Sequence, residues 1–153
     1  MKKLSTQAQA LVSAALRHVR DAEHLVDEHL AYSSPDQSYH LAGFGPECAR
    51  KATLTVRWAD KVLGHELGGS ADPTLEFALA LDPIARRYDS LNWSVKYPAL
   101  AKWNPQCRYE KTGHRKKADI GAVVKEARSA VTGIVAALWA DGRLEGKSLY
   151  NDF

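Results

Sequence analysis

Apolar side chains in this chain recur at steps of three and four, and no stretch alternates with a period of two. Ala8, Leu11, Val12, Ala15, Val19, Ala22, Val26 and Leu30 follow that rule, leaving Arg17, Arg20, Asp21 and Glu28 for the opposite side. With 3.6 residues per turn, such spacing gathers apolar groups onto one face of a helix. It predicts a first helix over 5–31. A second, over 35–63, repeats Leu41, Gly45, Cys48, Ala52, Thr55, Ala59 and Val62. Ser34 is placed to cap it, Pro35 to take its first position and Gln37 its third. Pro46 leaves the Ala42 carbonyl without its usual donor, which predicts a kink beside Gly43 and Gly45.

Asp72-Pro73 and Asp82-Pro83 are two further cap-plus-proline starts. They predict a third helical region over 73–90, kinked or split near Pro83. The last helix is expected over 117–140, from Ile120, Val123, Ala127, Val131, Ile134 and Leu138, with Gly142 as its stop. Long helices joined by modest turns favour an all-α, antiparallel up-and-down four-helix bundle. At 153 residues one domain, 1–153, is large enough to fold around a single core.

No run approaches the roughly 18 to 20 apolar residues of a membrane span. The leader-like Met1-Lys2-Lys3 is followed by Gln7, Gln9 and Ser13, then Arg17 and His18, which is not a signal peptide's apolar run. Cys48 and Cys107 form no CxxC pair, so two free thiols in a cytoplasmic setting are expected.

Charge is distributed unevenly. Residues 96–117 hold Lys96, Lys102, Arg108, Lys111, Arg115, Lys116 and Lys117 against a single acid, Glu110. That stretch carries +6 in a chain of net +3, so the remaining 131 residues carry −3. Helical periodicity is lost from 92 to 117, where Pro98, Pro105 and Gly113 intervene. Trp93, Tyr97, Trp103 and Tyr109 nevertheless predict an ordered loop, since disordered segments are poor in large rings. Concentrated positive charge is an address for phosphates. An Arg with a His nearby, as in Arg108-x5-His114, is what metal-free phosphodiester cleavage needs.

The run Tyr39-His40-Leu41-Ala42-Gly43-Phe44-Gly45-Pro46-Glu47-Cys48-Ala49-Arg50-Lys51-Ala52 resembles the second-helix signature of HEPN-domain proteins. Arg17-His18-Val19-Arg20-Asp21-Ala22-Glu23-His24-Leu25 is similar to the first helix of that family, and Leu63-Gly64-His65-Glu66-Leu67 to a turn seen in one branch. Arg108-Tyr109 resembles an Arg-Tyr preceding the last helix there. The resemblance spans residues 11–140. It implies a helical bundle that forms a homodimer, RNA as a partner, and for many members a toxin-like endoribonuclease paired with a nucleotidyltransferase-type antitoxin. It also implies that Arg108 and His114 are the catalytic pair, without metal or cofactor. Other members bind nucleotides or proteins without catalysis, which is the alternative function. Tyr109, Lys116, Gly113 and Pro46 each depart from the nuclease pattern.

Imidazole exchanges protons near neutral pH, so His114 could move the proton of a ribose hydroxyl while Arg108 grips the phosphate. The opposing reading has Arg108 paired with an acid such as Glu47 and His114 simply solvated. Glu47, Lys51, Lys102, Tyr109, Lys111, Arg115, Lys116 and Lys117 are the candidate substrate contacts. Glu47 and Lys51, one turn apart, form either an ordinary salt bridge or a group that orients Arg108. His40 is either structural or a substrate contact. Trp93, Trp103 and Tyr109 either stack bases or anchor the loop. No metal is expected: His65-Glu66 lacks a ligand four residues on, and His18, His24 and His29 diverge around their helix. P-loop, GxGxxG and GxSxG patterns are absent.

Overall fold

A computed structural model describes residues 1–55, 64, 65, 67, 72–88 and 92–146. The described residues are all-helical, without a strand. Helix α1 spans Thr6–Leu25, α2 Pro35–Thr53, α3 Asp72–Leu81, α4 Trp93–Lys96 and α5 Lys117–Ala140. Short 3-10 turns occupy Ala85–Arg87, Leu100–Lys102 and Pro105–Tyr109.

Helix α1 starts where Ser5 accepts from the Ala8 N–H, and it stops six residues earlier than its apolar stripe suggests. Asp27 takes the His29 N–H and the Leu25 carbonyl takes the Ser34 N–H, so the chain turns instead of continuing. Val12, Ala15, Leu16, Val19 and Ala22 are its buried face. Ser34 caps α2 as expected, accepting from the Gln37 N–H at 3.3 Å with Pro35 first in the helix. The Ser38 hydroxyl then donates to the Ala22 carbonyl across the turn at 2.6 Å.

Helix α2 passes through Pro46, although an interior proline costs a helix about 3 kcal/mol. Close packing offsets that cost. A Cβ at Gly45 would stand 2.7 Å from Val19 Cγ2 and 3.1 Å from the Ala15 carbonyl, so α1 and α2 meet backbone to backbone. The second helix was expected to reach 63, but it ends at Thr53. Leu54 is extended, the Thr53 hydroxyl binds the Arg50 carbonyl, and Thr55 donates both its N–H and its hydroxyl to Asp82. The remainder of that expected helix, 56–63, lies outside the described residues.

The third region splits near Pro83, as its two prolines suggest. Asp82, buried, closes α3 and caps the next 3-10 turn through the Ala85 N–H. Leu79 and Ala85 form a small separate cluster with Leu54. Expected residues 89 and 90 lie outside the described set. Helix α5 has the expected bounds, and its Asp119 carboxylate accepts from the Lys116 N–H.

Contacts fix the directions. Residue 22 meets 38 and residues 15 and 19 meet 45, so α1 and α2 are antiparallel. Glu28 meets Lys117 and Glu23 meets Arg128, so α5 is also antiparallel to α1 and therefore parallel to α2. One core of Val12, Val19, Ala42, Ala49, Ile120, Ala127, Val131 and Leu138 joins all three.

Candidate functional site

The basic segment is an ordered strap across the N-terminal halves of α2 and α5. Trp103 anchors it: the indole is 2% exposed and lies against Gly43, edge-on to Phe44 at 5.2 Å. The Leu100 N–H donates to Glu126 of α5 at 2.8 Å. Asn104 accepts from the Gln106 N–H, Pro105 follows, and the resulting 3-10 turn carries Arg108 and Tyr109 outward. Gly113, at φ +82°, turns the chain back towards α5. Asp36, in the first turn of α2, clamps the strap by accepting from the N–H groups of Gly113 at 2.6 Å and Arg115 at 2.9 Å.

The seven cations of the strap separate into two sets. Arg115 turns inward, forked onto Glu110 through two bonds of 3.0 Å and lying 3.4 Å over the Tyr39 ring. Lys117 pairs with Glu28 at 3.0 Å, and Lys96 sits over Tyr97. Lys102, Arg108, Lys111 and Lys116, exposed like Lys96 and Lys117, have no acidic partner among the described residues. The Arg108 guanidinium lies 4.9 Å over the Tyr109 ring, which is itself 73% exposed. His114 is also exposed, with Nε2 4.0 Å from Glu110. A hollow of about 390 Å³ opens among Tyr39, Lys102, Asn104, Gln106, Tyr109 and Arg115. Arg108 and His114 are not among its lining residues.

Glu47 lies elsewhere. It is 6% exposed, and one oxygen accepts from Lys51 Nζ at 2.7 Å and meets His65 Nδ1 at 2.8 Å. Its partners are thus Lys51 and His65 rather than Arg108. Trp93 is buried beneath the Arg50 guanidinium at 3.8 Å, so Trp93 and Trp103 anchor the strap and Tyr109 alone of the three is open for stacking.

Phe44 gathers a group that no local spacing announces. The rings of His18, His40 and His65 lie 5.9, 4.8 and 6.4 Å from its own, and His40 Nδ1 is 3.4 Å from Cys107 Sγ. Burial, followed by the nearby Arg17 charge, lowers the His18 pKa. Burial, followed by Arg108, lowers that of His40. Burial and Glu110 raise the Cys107 thiol, and burial and Glu47 push Cys48 up to about 11. Burial therefore favours the neutral form of His18 and His40 and the protonated form of both thiols, which suits packing better than nucleophilic attack. His40 is held in place by Phe44 and Cys107.

Among the described residues no three His, Cys, Asp or Glu side chains converge as metal ligands would. No described helix is long and apolar enough to cross a membrane. No family model matches the chain, and neither a curated protein nor a solved structure does.

Proposed function

We propose that this chain is a cytoplasmic HEPN-type protein, a four-helix bundle acting as a homodimer, that binds single-stranded RNA through the exposed ridge of the 96–117 strap. One observation carries the reading: Lys102, Arg108, Tyr109, Lys111, His114 and Lys116 are exposed together on a segment held rigid from beneath by Trp103 and Asp36. Lysines and arginines supply sequence-independent affinity for the phosphate chain. An exposed aromatic ring adds about 1–3 kcal/mol for each base stacked upon it. Rigidity matters because a strap already ordered loses little entropy on binding.

Arg108 and His114 are the candidate endoribonuclease pair of this reading. Both lie on the ridge outside the hollow, so a second copy is required to close a cleft around the scissile phosphate. The experiment incubates a mixed RNA pool with wild type and His114→Ala over a series of salt concentrations. Retention that weakens with salt is the expected result, and cleavage lost in the variant assigns the nuclease. Retention without cleavage leaves an RNA-binding module, and no retention refutes the reading.

A specific observation favours a second role, docking to a protein such as a nucleotidyltransferase-type antitoxin. Phe77 and Leu81 are exposed one turn apart on α3, with Ile84 exposed just beyond. Apolar groups grouped in this way mark a contact surface. Co-expression with a candidate nucleotidyltransferase, with wild type and Phe77→Ser compared for co-purification, tests that role.

A further inference from the structure

The hollow beside the ridge is built to take a flat group. Two planar side chains line it, Tyr109 and Arg115, and each is backed by a neighbour. The Arg108 guanidinium covers one face of the Tyr109 ring at 4.9 Å. Arg108 does not line the hollow, so the uncovered side of the ring is the one open to it. Arg115 lies against the Tyr39 ring at 3.4 Å, and Glu110 fixes its Nε and Nη2 through two bonds of 3.0 Å. Its plane is therefore set before any ligand arrives.

Charge narrows what that flat group can be. Glu110 is the only acid among the described lining residues, and Arg115 neutralises it. Lys102 also lines the hollow and has no acidic partner among the described residues. The balance is positive, which disfavours a planar cation and favours a flat neutral group joined to an anion. An unpaired nucleobase is such a group, because its sugar carries it on a phosphate chain. Aromatic rings and guanidinium planes are the surfaces on which RNA-binding proteins stack splayed bases.

Gln106 supplies a means of choosing among bases. Its backbone N–H is held by Asn104, while its side chain lines the hollow and is exposed. The amide offers a donor and an acceptor side by side, the pattern that adenine N7 and N6 complement. At about 390 Å³ the hollow lies near the lower end of small-molecule sites, roughly 300–1,000 Å³, so it suits one nucleoside rather than several. Trp103 and Asp36 fix the strap on either side of it, so little ordering entropy is lost when a base enters.

From these features we infer that the hollow is a base pocket, which takes one unpaired purine, adenine above all, from a single strand held along the ridge. The inference rests on the RNA-binding reading above and adds what that reading lacks, a place where the strand's bases are distinguished. Stacking strength sets such preferences, and a purine covers more of the Tyr109 and Arg115 planes than a pyrimidine does. Lys102 and the ridge cations hold the flanking phosphates and contribute equally for every base.

The test uses the full chain and short ribose-phosphate strands that are abasic throughout except for one central position, which carries adenine, uracil or no base. Kd is measured by fluorescence anisotropy at constant ionic strength, and the Gln106 side-chain amide is followed by NMR. The adenine strand should bind about tenfold more tightly than the fully abasic one, with uracil between them, and it should move the Gln106 signal. Tyr109→Leu alters an exposed side chain and no charge, so it should keep the Tm and the salt slope while erasing most of the adenine advantage. Gln106→Ala should narrow the gap between adenine and uracil. Salt-sensitive binding that is equal for the adenine and abasic strands would overturn the base pocket and leave RNA binding by the ridge intact. Adenine-dependent binding with an unmoved Gln106 signal would overturn it too, by placing the base on the outer face of the ridge. Binding of none of the strands would refute the RNA reading and this inference with it.

Discussion

The indole of Trp103 lies so close over Gly43 that a methyl group at residue 43 would overlap its ring. The notch left by that missing side chain is what holds the basic strap against α2. Gly43→Ala should therefore expel the indole as well as strain the helix, even though alanine is the better helix former. We expect a loss of about 1–3 kcal/mol in urea denaturation, the usual cost of overpacking. Tryptophan emission should shift to the red and proteolysis should begin within residues 104–117. A variant as stable as wild type would show that the notch does not anchor the strap.

Asp36 holds the other end of the strap through two backbone N–H groups. Charge-assisted hydrogen bonds are stronger than neutral ones, but this pair is only partly shielded from water. Asp36→Ala is expected to cost about 1–2 kcal/mol. Amide hydrogen exchange at Gly113 and Arg115 should accelerate more than exchange in the middle of α5. RNA retention should fall although no basic residue has been removed. Unchanged exchange at both amides would contradict the clamp.

The all-α class, the Ser34–Pro35 start of α2 and the bounds of α5 were legible because each depends on neighbours in sequence. The long extensions of the first two helices were not. Val26 and Leu30 keep the helical spacing, yet the Leu25 carbonyl is taken by Ser34, nine residues away. Thr53 and Thr55 bind the Arg50 carbonyl and Asp82, and a partner 27 residues distant leaves no local trace. Order in the strap could be read from its rings, but which rings are buried depends on the notch at Gly43. The basic ridge was visible as composition, whereas the Phe44 cluster exists only once α1, α2 and the strap are packed together.

Burial holds His18 and His40 below the ordinary histidine pKa in the folded protein. The unfolded chain then binds more protons as pH falls through about 6.5, and stability declines from there down through the lowered folded values. Above that window these two groups contribute no pH dependence. The urea midpoint should drop between about pH 7 and 5.5, and His18→Gln combined with His40→Gln should flatten that drop. A wild-type midpoint that is constant or rises on acidification over this range would be inconsistent with buried neutral imidazoles.

Cys48, pushed up to about 11 chiefly by burial, should be chemically quiet. Near pH 8 its thiolate fraction is about a hundredfold below that of a free cysteine, and the thiolate is the reactive form. Alkylation by iodoacetamide should be slower than in the urea-unfolded chain by at least that factor. Cys107, raised in the same direction by burial and Glu110, should also be slowed. Rapid native labelling at Cys48, located by mass spectrometry, would mean that its surroundings open readily.

Salt dependence separates the cations that face solvent from those already paired. Each phosphate neutralised on a single strand contributes about −0.7 to the slope of log K against log salt. Lys102, Arg108, Lys111 and Lys116 are exposed and have no acidic partner among the described residues, whereas Lys117 is paired with Glu28. The wild-type slope for RNA is therefore expected near about −2 to −3. Lys102→Gln together with Lys111→Gln should reduce its magnitude by about 1.4, and Lys117→Gln should change it little. Arg108→Lys provides a further distinction: it retains the charge and the slope but loses the planar guanidinium over Tyr109, so affinity alone should weaken. If Lys117→Gln lowered the slope as much as Lys111→Gln, ion pairing would not be what divides the strap, and RNA would engage a different face.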